Sequence, residues 1–330
     1  MLFYLDLILF TLKRLLTEVI SIMTKLKYEV IEEDNGLPIK NIIRSRFNFS
    51  SRLMGKLKRQ NLVYKNGEIT PGWHTVKPGD IISIDFPEEK SDFPPEDIPL
   101  EIVYEDDDLL VINKQYGITV HPTKGCPSHT LANGIMHHML ETDQSFKIRF
   151  VNRLDTDTSG LLLVGKNSYI QNEITKQMRA KTIDKHYMAV VNGIVEKDEF
   201  LIDKPIGRPS QDEIRRAVLA EESGGYPSQT EVKVLERIYS EKFNSQFTIV
   251  ELHLLTGRTH QIRVHMSSIG HILVGDSLYG DTHLDLINRQ ALHAYRLSLT
   301  HPITKERLDL RSNLPDDIQN LIQRLRSVKA

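Results

Sequence analysis

Residues Val151–Val164 read VNRLDTDTSGLLLV, and this stretch decides how the rest of the chain is understood. An apolar and basic lead-in ends at Asp155. Thr, Asp, Thr, Ser and Gly follow, and then Leu161 to Val164 are all apolar. A short apolar run bounded by turn residues is the pattern of a buried strand. Asp155 is therefore expected on a loop entering that strand, where a rigid scaffold can hold a side chain at a cleft. Three chemistries compete for it. A calcium loop starts well with Asp155, Asp157, Ser159 and Gly160, but Lys166 stands where the bidentate Glu is needed, so the cage fails. A phosphatase-like DxDx[TS] pattern would make Asp155 a phosphoryl acceptor, yet the further carboxylates of its magnesium site are missing. The third is a lone carboxylate nucleophile or base served by nearby cations.

Outward from this stretch, strands are predicted at Glu101–Tyr104, Leu109–Asn113, His186–Val191 and Phe247–Leu255, and helices at His129–Leu140, Tyr169–Ala180 and His260–Ile269. Regular β-α-β alternation is absent, as are GxGxxG and GxxxxGK[ST] loops, which removes the main support for nucleotide-binding α/β folds. The expected class is α+β, with a mixed, mainly antiparallel sheet. His260 and His265 are five apart and do not share a helix face as a zinc pair would. His121-Pro122 and His301-Pro302 read as turn or capping elements. Gln211 to Gly225, between Pro209 and Pro227, reads equally as a loop that orders on RNA or as a surface excursion.

Upstream, charge is the informative quantity. The whole chain of 330 residues is nearly neutral, at −2. Yet Lys40 to Asn66 holds Lys40, Arg44, Arg46, Arg52, Lys56, Lys58, Arg59 and Lys65 and no acid, whereas Asp85 to Asp108 holds eleven acids against Lys90. A solvated face usually mixes signs, so the acid-free block points to a polyanionic partner. Pro38 suits a first helical position, and Ile39, Ile42 and Ile43 recur at helical spacing. Ser50 or Ser51 caps a second helix, with Leu53, Met54 and Leu57 inside and Arg52, Lys56, Lys58 and Arg59 outside. Strands at Leu62–Tyr64 and Ile81–Ile84, with a turn at Asn66-Gly67, complete the module. Pro87–Pro99 (PEEKSDFPPEDIP) has the composition of a semi-rigid connector. Met1 to Met23 is apolar but carries Asp6, Lys13, Arg14 and Glu18, which argues against a membrane span. It also lacks a signal-peptide pattern. An extension outside the native protein is expected there, with MTKLKYEV from Met23 as the more ordinary start. One Cys, Cys126, allows no intrachain disulfide and suits a reducing compartment, the cytoplasm.

NRLDTDTSGLLLV resembles the HRLDxxTSGLLL motif of the RluA-type pseudouridine synthases. The resemblance continues in order through NKQYGITVHP (Asn113–Pro122), KHY (Lys185–Tyr187), TGRTHQIRVHM (Thr256–Met266), GDSLYG (Gly275–Gly280) and LHAYRLSLTHP (Leu292–Pro302), covering roughly Ile98 to Leu310. Asn152 departs from the family's usual His and shapes the loop rather than the reaction. The resemblance implies isomerisation of uridine in RNA: the N1–C1′ bond breaks, the base turns, and C5 is joined to C1′. Such a reaction implies no cofactor and no metal. Asp155 is implied as the catalytic carboxylate, attacking C1′ or abstracting a ribose proton. Arg263 is implied as its cationic partner, Tyr187 as the aromatic that stacks on uracil or takes the C5 proton, and Arg153 as the residue that displaces the target base.

The basic helix, QNLVYKNGEI and VKPGDIISI resemble the αL-type RNA-binding module shared with a small-subunit ribosomal protein, which implies phosphate contacts from Arg44, Arg46, Arg52, Lys56, Lys58 and Arg59. The expected organisation is an extension over 1–23, this module over 24–86, a linker over 87–99 and a catalytic domain over 100–330. The expected partner is structured RNA, with large-subunit ribosomal RNA favoured over transfer RNA; a monomer without membrane association is expected. A non-catalytic RNA-binding or ribosome-assembly factor is the alternative.

Overall fold

The computed structural model describes residues 26–123, 125–210, 212–281 and 285–327; the expected extension at 1–23 lies outside them. Contacts divide the chain into two compact units, Met1–Glu89 and Lys90–Ala330.

In the first unit, strand β1 (Leu26–Glu29) precedes helices α1 (Ile39–Phe47) and α2 (Ser51–Gln60), then strands β2 (Val63–Lys65), β3 (Glu68–Ile69) and β4 (Ile81–Ile84). Ile39, Ile42, Ile43 and Leu57 are almost fully buried, so the helical spacing does set the inner face. The Ser50 hydroxyl accepts the Leu53 N–H at 3.2 Å and starts α2. Asn48 and Asn61 end the two helices in the left-handed region at φ 51° and 54°, a conformation Asn tolerates better than most residues. The four strands form an antiparallel sheet in the order β1-β4-β2-β3.

The second unit is built on one large sheet. Its elements are β5 (Glu101–Glu105), β6 (Leu109–Lys114), α3 (Leu131–Glu141), β7 (Arg149–Phe150), β8 (Ser159–Gly165), α4 (Ser168–Arg179), β9 (Asp184–Asn192), β10 (Glu199–Asp203), β11 (Ile206–Gly207), β12 (Ala217–Val218), β13 (Gln229–Ser240), β14 (Ser245–Leu254), α5 (Gln261–Ser267), β15 (Leu292–Thr300), β16 (Arg307–Arg311) and α6 (Asp316–Arg326). The sheet order is β10-β13-β14-β9-β15-β8-β6-β5, with β16 on β15 and β7 on β8, while β11 and β12 form a small separate pair. Among the named strands of this unit only β15 and β8 run parallel; every other strand pair is antiparallel. This is the α+β class.

All seven residues of β8 are buried, which explains its apolar run. Gly160 makes the parallel pairing possible. At φ 115°, a Cβ there would lie 2.3 Å from the Ala294 carbonyl oxygen, so no larger residue lets β15 approach.

The stretch 87–99 has no helix or strand, yet from Ser91 onward it is docked on the second unit. Ser91 Oγ accepts the Ile148 N–H, the Asn133 amide donates to the Pro94 carbonyl at 2.7 Å, and Ile98 is buried. The connector reading therefore needs correction, because Phe93 and Ile98 are apolar enough to anchor the acidic segment. None of the described helices is long and apolar enough to cross a membrane.

His301 closes the far end of β15. Its Nδ1 accepts the N–H groups of Ile303 and Thr304, both at 3.1 Å, and its Nε2 lies 3.0 Å from Asp106. Asp108 is close enough to complete a metal-like trio with them. However, two N–H donors on Nδ1 leave the ring proton on Nε2, facing Asp106. A cation would have to displace that proton, so the cluster is a capping device.

Candidate active site

Asp155 lies between β7 and β8, and its loop is fixed through backbone oxygens. Lys114, at the end of β6 and fully buried, donates to the carbonyls of Gln115, Ile118 and Thr156 at 2.8, 3.0 and 2.9 Å. Burial pushes its ammonium down to about 7, while three acceptors call for the three N–H donors of the charged form. Arg289 donates to the Asp157 carbonyl at 3.0 Å and is itself held by both carboxylate oxygens of Asp317. Asn152 uses both ends of its amide, donating to the Leu161 carbonyl at 3.2 Å and accepting the Leu163 N–H at 2.7 Å. The loop is thereby clamped on either side of Asp155.

Arg263, on α5, donates from Nη1 to Asp155 Oδ2 at 3.0 Å. Its Nε and Nη2 donate to the two oxygens of Asp276, both at 2.7 Å. Only 7% of the Arg263 side chain and 1% of Asp276 are exposed, against 26% of Asp155. The cation thus sits behind a carboxylate that opens toward solvent. Burial works against the guanidinium charge, but the hydrogen bonds and charge of Asp276, with Asp155 beside it, outweigh that and raise its pKa above the ordinary arginine value.

Tyr187 lies in the middle of β9, paired with Leu252 on β14 and Ala294 on β15. Burial, and then the charge of Asp155, push its phenol well above the usual tyrosine range, so the ring enters the site neutral. His260 occupies the left-handed region at φ 58° just ahead of α5. Tyr279 Oη accepts the Arg216 N–H at 2.9 Å and lies 3.1 Å from His260 Nδ1. With the phenol proton shared toward Nδ1, the neutral imidazole presents Nε2–H toward Asp155 Oδ2, 3.8 Å away. Burial lowers the His260 pKa against the pull of Asp155. Arg153 is exposed at the rim, 3.3 Å from the Thr259 hydroxyl.

These groups surround one cavity of about 540 Å³, lined by Arg153, Asp155, Tyr187, His260 and Arg263, with Met178 and Leu254 as apolar wall. Lys185 also lines it, its ammonium pushed down by burial. Sequence reasoning missed Lys114, Lys185, His260, Asp276 and Arg289 as site residues. Four of them lie inside motifs already quoted; the available signal was that a buried guanidinium needs a permanent anion nearby.

The basic residues of the first unit divide into two groups. Arg46 is engaged by Asp34 at 3.0 Å and Glu33 at 3.5 Å, and Lys56 by Glu89 at 2.8 Å. Arg44, Arg52, Lys58 and Arg59 are exposed and make no ion pair among the described residues.

Comparison with known proteins gives a consistent result. The profile of the RNA pseudouridylate synthase family matches residues 108–268. The chain is 38% identical to the uncharacterized RNA pseudouridine synthase YlyB of Bacillus subtilis, over 92% of this chain and 99% of that protein. It is 43% identical to ribosomal large subunit pseudouridine synthase D of Neisseria meningitidis serogroup A, over 72% of this chain and 64% of the relative. Among solved structures, human RNA pseudouridylate synthase domain containing 1 superposes with a TM-score of 0.54 at 27% identity, covering 71% of this chain and 98% of that one.

Proposed function

Because the chain belongs to the RluA-type RNA pseudouridine synthases, which are isomerases, we propose that Asp155 is the carboxylate through which it converts uridine to pseudouridine. The observation that carries this reading is the Arg263–Asp155 contact in an open cavity that Tyr187 also lines. A guanidinium behind a half-buried carboxylate fixes its position and offers a planar fork of donors to it, and both chemical routes require that carboxylate held in place.

In either route the N1–C1′ bond breaks and its electron pair leaves with uracil. Asp155 forms an ester at C1′, or removes the C2′ proton to leave a glycal. The freed base turns and C5 bonds to C1′, releasing the carboxylate. The C5 proton departs and N1 gains one, so atoms and electrons balance without a cofactor. The Tyr187 ring stacks on uracil. Burial keeps its phenol neutral, so the C5 proton passes to the Asp155 carboxylate that C5–C1′ bonding has released. Arg153, at the rim, takes the place the everted base vacates.

In the first unit, the span 24–86 is proposed as an αL-type RNA-binding module, with Arg44, Arg52, Lys58 and Arg59 on phosphates. Large-subunit ribosomal RNA is the favoured substrate, a reading supported by the name of the Neisseria relative. The test is Asp155→Asn. Tritium release from C5-labelled uridine RNA should fall to background while RNA affinity stays within about twofold. Retained turnover in a clean preparation sinks the assignment.

A further inference from the structure

The chain has one tryptophan, Trp73, and its side chain is 69% exposed, more than any other large aromatic among the described residues. Scattered exposed apolar residues are ordinary, so exposure alone argues little. The support beneath this one is less ordinary. Trp73 sits on the Thr70–Thr75 loop, whose backbone is tied to the start of α1. Lys40 N–H donates to the Gly72 carbonyl at 2.8 Å, and Ile39 N–H to the His74 carbonyl at 2.9 Å. The Val76 N–H donates to the Leu37 carbonyl at 3.1 Å just beyond it, and Lys65 Nζ reaches the Thr75 carbonyl at 3.4 Å. The His74 ring packs edge-on against the indole at 4.1 Å. The ring is therefore presented to solvent on a pinned loop.

Its neighbourhood is cationic. Lys40 touches the same loop through Gly72 and is exposed, as is Arg44 one turn further along the same face of α1. No acid occurs between Lys40 and Asn66. An exposed π-face on a loop tied to the helix that carries two exposed cations is a combination suited to unpaired nucleotides: the base stacks and the phosphates follow the charges.

We propose that Trp73 is a stacking platform for an unpaired RNA base, with the adjoining phosphates on Lys40 and Arg44. The proposal rests on the reading of this chain as an enzyme of RNA, and it adds a second contact, on the first unit, to the nucleotide isomerised in the cavity.

Because position 73 holds the sole tryptophan, its fluorescence reports this site alone. Titration of the full chain with an RNA stem–loop bearing an unpaired uridine-rich loop should quench the emission. A fully paired duplex of the same composition should quench it much less. Trp73→Ala should weaken stem–loop affinity about tenfold, in line with the loss of one stacked base. Trp73→Phe should restore most of it. Equal quenching by duplex and stem–loop, no quenching by either, or wild-type affinity in Trp73→Ala would overturn the proposal. A surface meant for a protein partner would give that last result. Turnover on the same RNA separates the two readings. Loss of the wild-type reaction defeats the function, whereas an unaltered Trp73→Ala in a working enzyme defeats only this inference.

Discussion

Arg263 serves two carboxylates with one guanidinium, and this sharing explains why the residue is an arginine. Its fork spans both oxygens of Asp276 and still directs Nη1 at Asp155. A lysine offers the same charge from a single point and cannot hold both partners in this geometry. Arg263→Lys should therefore lower kcat by about 100-fold while leaving KM nearly unchanged, since the substrate's binding contacts survive but the carboxylate loses its fixed position. Single-turnover tritium release checks this; a near wild-type rate would mean that charge alone suffices. Much at this scale was legible. Asp155, Tyr187 and Arg263 were named from three separate motifs, and they converge on one cavity. The supports were not legible. Lys114 acts through carbonyl oxygens, which carry no sequence signal, and Asp276 declares itself only once the arginine is known to be buried.

At the scale of elements, strands with apolar runs were found because burial writes them plainly, as in β6 and β8. Strand β13 was missed because charged residues, Glu231, Lys233 and Arg237, stand at three of its exposed positions, so twelve residues of strand read as surface chain. Helix α6 escaped too, although Ile318, Leu321, Ile322 and Leu325 keep helical spacing and are buried. The β5–β6 turn offers a test of how such elements are joined. Asp106 accepts the Tyr104 hydroxyl at 2.5 Å and the N–H groups of Asp108 and Leu109 at 2.8 and 2.7 Å, with His301 reaching it from β15. Burial alone would raise this carboxyl, but His301, Tyr104 and the backbone donors outweigh it and hold it well below the usual range. A depressed carboxyl contributes stability above its unfolded value of about 3.9, and that contribution fades as the pH falls below it. Asp106→Asn should cost about 2 kcal/mol at neutral pH, and the gap to wild type should narrow only slightly by about pH 3, closing as the pH falls on through the folded-state value. Urea melts from neutral pH down into that range measure it; a gap independent of pH would show that shape, not charge, sets the turn.

Over the whole molecule, net charge says little and its distribution says much. The contacts divide the chain between Glu89 and Lys90, and the acidic segment beyond that point is anchored by Ile98, which is buried, and by Phe93, which packs partly buried against the core. Of the six basic residues named in the first unit, ion pairs engage Arg46 and Lys56, which leaves Arg44, Arg52, Lys58 and Arg59 as candidates for phosphate. Replacing these four with Gln removes charge but keeps hydrogen-bonding length and helix propensity, so folding should be little disturbed. Each lost phosphate contact should flatten the slope of log affinity against log salt by about 0.7 to 0.9. If all four touch the backbone, the slope falls by about 3, and affinity at low salt drops far more than affinity at high salt. The kcat at saturating RNA should hold, because none of the four lines the cavity around Asp155. Binding measured from low to physiological salt, with turnover alongside, separates the outcomes. A slope unchanged by the fourfold variant would transfer RNA affinity to the second unit and leave the basic face with no part in it.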